Sequence, residues 1–298
     1  MLGQYLITFR EVLEAALITA ILLSYLIRTE RRALTVYVWY GVYIATALSL
    51  GLGASIWLIY GALPKTTQLL FEASAAFIAV IVLSSMIYWM AIKGRYLKRG
   101  MEQRIEAIAT RGSIIGLISI AFIVVFREGL ETVLFLTPFL LKDAVGTLGG
   151  ALIGTVTALI LAYAVFVTGI KIDLRRFFFF TSILLILLAG GLAGYGVHEL
   201  LEYYERVNVE TGWLGEPAYI LNIPEGHLLH HKGLIGSIFA VMFGYTVKAE
   251  WGRVIIHIAY LVVALPLVIW IYKRPVFHLP HHDYRSGEPP IPRARLRR

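Results

Sequence analysis

The chain has 298 residues, 58% of them hydrophobic and only 15% Asp, Glu, Lys or Arg, and its mean hydropathy is +0.75. Soluble domains carry about 25% charged residues, so this chain cannot cover a soluble body of its length, and one membrane domain is expected instead. It has no Cys, which excludes disulfides, thiolate metal sites and cysteine nucleophiles. The net charge of +8 gathers in particular loops, as in cytoplasmic membrane flanks rather than a nucleic-acid surface.

Apolar runs near the roughly 20 residues that cross a bilayer as a helix predict seven spans, at 3–27, 35–61, 68–92, 114–141, 147–170, 178–202 and 253–272. The first is read as a helix rather than a signal peptide, because no basic residue precedes Arg10. Loops 1, 3 and 5 are basic, with Arg28, Arg31 and Arg32, then Arg95, Lys98 and Arg99, then Lys171, Arg175 and Arg176. Loop 2 holds Lys65 alone, loop 4 sets Lys142 against Asp143, and loop 6 is acidic through Glu205, Glu210, Glu216 and Glu225. The positive-inside rule then predicts a multi-pass cell-membrane protein with its N-terminus outside and its C-terminus in the cytoplasm. Residues 95–112 read as an amphipathic helix on the inner surface. Residues 233–247 would reach only about 22 Å as a helix, short of the ~30 Å core, and are expected to form a re-entrant or interfacial half-helix before the last span. The fold class is therefore an all-α integral membrane protein, with residues 1–272 as one transmembrane domain and 273–298 as a basic, disordered cytoplasmic tail.

Within this apolar frame one pattern occurs twice. Phe9-Arg10-Glu11-Val12-Leu13-Glu14 lies in the first span and Phe126-Arg127-Glu128-Gly129-Leu130-Glu131 in the fourth. The i, i+3 glutamates share a helix face, and the i, i+4 spacing lets Arg10 reach Glu14 and Arg127 reach Glu131. Each charged residue at mid-membrane costs roughly 2.5–3.5 kcal/mol, so six facing lipid would exceed a typical folding stability. They must face one another, water or an ion. Four carboxylates against two guanidinium groups leave two negative charges, which suits a multivalent cation. The two spans run in opposite directions and carry their motifs at similar depth. That predicts an inverted 3+3 repeat, spans 1–3 against 4–6, with the ion site at its interface. A purely structural salt bridge would not need the extra carboxylate in each set.

Further acidic residues lie at the outer ends of spans, Glu72 on the third and Glu199 and Glu202 on the sixth, where they could line an outer vestibule. His198 stands beside Glu199. His227, His230 and His231 accompany Glu225 in the outer loop as candidates for metal capture, and His278, His281 and His282 lie in the tail. His257 reads as structural. The run Ala189-Gly190-Gly191-Leu192-Ala193-Gly194 and residues Gly149, Gly150 and Gly154 read as close helix-packing surfaces. Carboxylate oxygens suit a hard cation, and the lack of Cys and of Met clusters argues against copper(I). An intramembrane metal-dependent enzyme would place its histidines inside helices. A transporter is expected, not an enzyme, and with no nucleotide-binding motif ATP does not drive it directly.

Two Arg-Glu-x-x-Glu motifs in the first and fourth of seven spans closely resemble the high-affinity iron permease family. That family includes fungal permeases that work with a multicopper oxidase and bacterial iron-uptake permeases. The resemblance extends over nearly the whole chain, through Phe71-Glu72, Met86 and Tyr88-Trp89-Met90 of the third span, His198-Glu199-Leu200 of the sixth, and Gly236 to Tyr245 before the last. It implies iron uptake, with the motif glutamates as ligands and Fe3+ or Fe2+ as substrate rather than cofactor. The expected partners are iron, the bilayer and an extracytoplasmic iron-binding or oxidase protein, with a homo-oligomer open and no nucleic acid. Lead or manganese is the alternative cargo.

Overall fold

A computed structural model describes residues 1–93, 113–168, 174–224, 227–230 and 234–273. The expected helix at 95–112, Glu225, His231 and the tail with its three histidines lie outside them. Each apolar run within the described residues is helical: α1 (Leu2–Arg28), α2 (Thr35–Gly61), α3 (Lys65–Lys93), α4 (Ile114–Lys142), α5 (Ala144–Thr168), α6 (Leu174–Arg206) and α8 (Trp251–Lys273), with the short α7 (Leu234–Phe243) before the last. Helices α2, α3, α5, α6 and α8 are long and apolar enough to cross a membrane. Helices α1 and α4 are as long, about 40 Å at 1.5 Å per residue, but carry the charged motifs in their apolar runs. The chain is an all-α membrane protein.

Helix ends follow local chemistry. Ser113 caps α4, its Oγ accepting the Gly116 N–H at 3.1 Å. Arg28 and Lys142 stand in the last turns of α1 and α4, where cations complement the C-terminal dipole. Helix α7 stops at Gly244, whose φ of +61° favours glycine.

The long helices pair as α1 with α5, α2 with α4 and α3 with α6, while α1 crosses α4 and α8 packs on α6. The main core lies between α3, α6 and α8 and includes Leu83, Met86, Met90, Ile186 and Leu192. Ile7 of α1 and Phe135 of α4 are fully buried in that core. They flank the motifs, three residues before Arg10 and four after Glu131, and so seat both charged stretches against α3 and α6. Large apolar side chains stay exposed around the outside, among them Trp57, Ile81, Leu152, Tyr163 and Val263. In water such a surface would drive association; in a bilayer it is the lipid-facing surface.

Glycines allow close approaches at two of the helix pairs. A Cβ at Gly41 of α2 would lie 2.5 Å from the Ile118 carbonyl oxygen and 2.9 Å from both the Ala121 Cβ and the Phe122 nitrogen of α4. One at Gly150 of α5 would lie 2.7, 3.0 and 3.3 Å from the Met1 oxygen, Gln4 Cβ and Tyr5 nitrogen of α1. Met1, Gln4 and Tyr5 stand nine, six and five residues before Arg10, and Ile118, Ala121 and Phe122 stand at the same offsets before Arg127. The buried positions agree too: Val38, Gly41, Ala45 and Ser49 on α2 match Thr147, Gly150, Gly154 and Ala158 on α5. The Gly-rich run of α6 behaves otherwise. Its Gly190 and Gly194 meet His257, Leu261 and Arg253 of α8 rather than the motif helices.

The loop after α6 adds a short sheet that the sequence does not signal. Strand β1 (Pro217–Ile220) pairs antiparallel with β2 (Lys248–Glu250), placing Pro217 opposite Glu250 and Ile220 opposite Lys248. Strands of three or four residues carry no usable alternation. The chain between them includes α7, which packs on α6 and α1.

Candidate metal centre

Arg10 and Arg127 each bind two carboxylates. The expected i, i+4 pairs form: Arg10 Nη2 lies 2.6 Å from Glu14 Oε1, and Arg127 Nε lies 3.3 Å from Glu131 Oε1. Each arginine also turns to its immediate neighbour. Arg10 Nη1 donates to Glu11 Oε1 at 2.6 Å and Arg127 Nη2 donates to Glu128 Oε1 at 2.7 Å. Spacing alone did not suggest these, because i, i+1 side chains do not face each other on a helix.

Across the crossing of α1 and α4, carboxylate oxygens of Glu11, Glu128 and Glu131 lie within 4.8 Å of one another. Glu11 and Glu128 are buried, and Oε2 of Glu11, Glu128 and Glu131 has no hydrogen-bond partner. Three partly unpartnered carboxylates at this range repel strongly unless a cation or shared protons join them. Glu14 is buried beside them, but its carboxylate is turned to Arg10 rather than into the triplet.

Glu72 sits in the first turns of α3, below the loop that follows α2. The hydroxyls of Tyr60 on α2 and Tyr195 on α6 donate to its two oxygens, one each. Glu199, one turn beyond Tyr195, is buried in the same region, and Lys142 Nζ lies 5.0 Å from the Tyr195 ring centroid. Glu72 and Glu199 therefore belong to one cluster with Tyr60 and Tyr195 between α2, α3 and α6. Sequence reasoning had both glutamates but not the tyrosines. The i, i+4 spacing of Tyr195 and Glu199 was a usable signal; the pairing of Tyr60 with Glu72 depends on the α2–α3 turn.

His198 points elsewhere. Its Nδ1 lies 3.2 Å from Glu250 Oε2, tying α6 to β2. Burial raises the Glu250 carboxyl, but the hydrogen bond and charge of His198 outweigh it and hold the group below the usual carboxylate range. Both residues line an open cavity of about 680 Å³ with Glu202, Glu205, Glu210 and Lys248. Glu202 is also held by Arg206 at 2.8 Å. Of the loop histidines, His227 is exposed and its Nδ1 accepts the Leu229 N–H at 3.1 Å, whereas His230 is buried. The two rings do not share one exposed face. His257 is packed against Gly190 and Gly244.

Charged carboxylate–arginine sets held on long apolar helices mark an integral membrane protein. Residues 1–270 match the family model of the iron permease FTR1 family, and the chain belongs to that family. An uncharacterized protein of Archaeoglobus fulgidus is 43% identical over 274 residues, spanning 92% of this chain and 96% of the relative. The ferrous iron permease EfeU of Escherichia coli O6:H1 is 35% identical, over 89% of this chain and 94% of the relative. Its Yersinia pestis counterpart is 34% identical, over 90% and 93%. No solved structure matches. The family is one of permeases, not enzymes.

Proposed function

We propose that the chain takes up iron through a carboxylate site assembled from its two Arg-Glu-x-x-Glu motifs. The observation that carries this reading is the triplet of Glu11, Glu128 and Glu131 from two crossing helices, with oxygens within 4.8 Å. Hard oxygen ligands suit iron ions. Four motif carboxylates against two arginines leave a charge that one divalent ion balances. This balance, and the ferrous substrate in the name of the relatives, favour Fe2+ over Fe3+. Glu14 serves as the carboxylate that keeps Arg10 occupied while Glu11 turns to the ion.

Iron reaches this site from the outer cavity with His198 and Glu202 and passes Glu72 and Glu199. The two phenol hydroxyls on Glu72 make that cluster a second oxygen-rich station on the path. An extracytoplasmic iron-binding or oxidase protein delivers the ion to this face.

Seven spans with the N-terminus outside accommodate this path. The matched surroundings of Gly41 and Gly150 support an inverted repeat of α1–α3 against α4–α6, and the α1–α4 crossing at its centre is where such folds bind their ions. The re-entrant reading of α7 is supported at Gly244, which packs against His257, six residues into α8 or about 9 Å, and against Gly191 of α6. From there the chain returns to β2 at the head of α8.

Radioactive iron uptake by proteoliposomes tests the site. Glu14→Ala and Glu131→Ala are each expected to lower uptake at least about tenfold, the scale on which even outer-shell partners of metal ligands matter. Wild-type rates in both would remove the site. Manganese or lead competing better than unlabelled iron would reassign the cargo.

A further inference from the structure

The two motif arginines match in sequence but not in surroundings. Arg10 is enclosed, with 3% of its side chain exposed, and besides its two glutamates its Nη1 donates to Met86 Sδ at 3.1 Å. Arg127 is 45% exposed, and its Cζ lies 5.3 Å from the ring centroid of Trp89. Met86 and Trp89 are three residues apart on α3 and so neighbour each other on its surface. One patch of α3 therefore addresses both guanidinium groups, one through a buried sulfur and the other through an aromatic face.

A cation on the unpartnered Oε2 atoms of Glu128 and Glu131 repels Arg127, which holds their Oε1 atoms at 2.7 and 3.3 Å, and so competes with those contacts. A guanidinium released inside a membrane protein needs another partner, because an uncompensated cation there is costly. An aromatic face supplies one without a competing negative charge. Arg10 has no comparable freedom, being enclosed and bound at 2.6 Å to both Glu11 and Glu14.

We propose that Trp89 is a positioning residue that receives Arg127 when a metal ion takes the oxygens of Glu128 and Glu131, while Arg10 stays in place, held by Glu14. This rests on the carboxylate-site reading above. Trp89 touches no metal in this scheme; it lowers the cost of displacing the cation that competes with the metal.

The test is anaerobic titration of the purified chain in nanodiscs with ferrous ion. Trp89→Leu is expected to weaken binding roughly three- to thirtyfold, the range of a cation–π contact from exposed to desolvated settings. Trp89→Phe, which keeps a weaker face, should fall between Leu and wild type. In an Arg127→Met background neither Trp89 change should alter affinity further, because the cation it receives is gone. A purely structural role for Trp89 predicts the same loss in both backgrounds. Unchanged affinity in Trp89→Leu, an equal loss without Arg127, or abolished binding in Arg127→Met would each overturn the proposal. Should Trp89→Leu not fold, Trp89→Phe in the two backgrounds makes the same comparison. Glu131→Gln separates the two ideas: unaltered binding there removes the carboxylate site itself, whereas lost binding with no sensitivity to Trp89 removes only the role of Trp89.

Discussion

Arg10 neutralises two carboxylates where almost no water reaches, while Arg127 does the same beside open space. Breaking a buried ion pair from one side leaves an uncompensated charge and costs about 3–5 kcal/mol. Arg10→Leu should therefore lose stability on that scale, since Glu11 is 0% and Glu14 5% exposed. Arg127→Leu should lose clearly less, because the released Glu131, 16% exposed, gains access to water. Denaturant unfolding in detergent measures both; equal losses would mean that the two motifs are energetically alike despite their surroundings. The charged residues themselves were legible from spacing, because six charges in apolar helices have few tolerable explanations. The second carboxylate that each arginine takes, its immediate neighbour, and the placing of Glu14 apart from the triplet were not. They depend on how α1 crosses α4, and periodicity within one helix says nothing about that. Tyr60, Tyr195 and Trp89 escaped for the same reason: each acts on a residue of another helix.

The helices were legible almost end to end, since apolar runs bounded by charged loops leave little freedom in a membrane. Their partners were not. The small residues Gly149, Gly150 and Gly154 marked α5 as a packing surface, and Gly150 does meet α1. The similar run on α6 also marked a packing surface, but it faces α8 and not the motif helices, because a small-residue stripe specifies close approach but not the partner. The α2–α4 contact turns on Gly41, which gives a paired test. Gly41→Ala must push α2 away from the Ile118 carbonyl and should cost about 1–3 kcal/mol, the usual range for overpacking. Gly51→Ala on the same helix meets nothing within 4 Å and should be neutral or stabilising by up to about 1 kcal/mol. Thermal unfolding of the two variants side by side checks this. Because α4 carries Glu128 and Glu131, iron affinity should fall with Gly41→Ala and stay unchanged with Gly51→Ala.

At the level of the molecule, a direction through the membrane is what turns a carboxylate site into an uptake path. The proposed inverted arrangement puts the two half-sites at one depth but does not say which face is outside. That comes from charge. The loop after α1 holds Arg28, Arg31 and Arg32, whereas the loop after α6 holds Glu205 and Glu210 beside the acidic cavity. Retention of basic loops in the cytoplasm leads us to expect the cavity outside, facing the iron supply. The absence of native cysteine makes the orientation measurable without a background signal. Single cysteines at three exposed loop positions, Arg32→Cys, Ala62→Cys and Glu210→Cys, can be probed on intact cells with a membrane-impermeant thiol reagent. Ala62→Cys and Glu210→Cys should label before lysis, and Arg32→Cys only after it. The opposite pattern would place the acidic cavity in the cytoplasm and make the same site an exit path. Labelling of Ala62→Cys and Arg32→Cys from the same side would mean that α2 does not cross the membrane, and would remove the inverted arrangement with it.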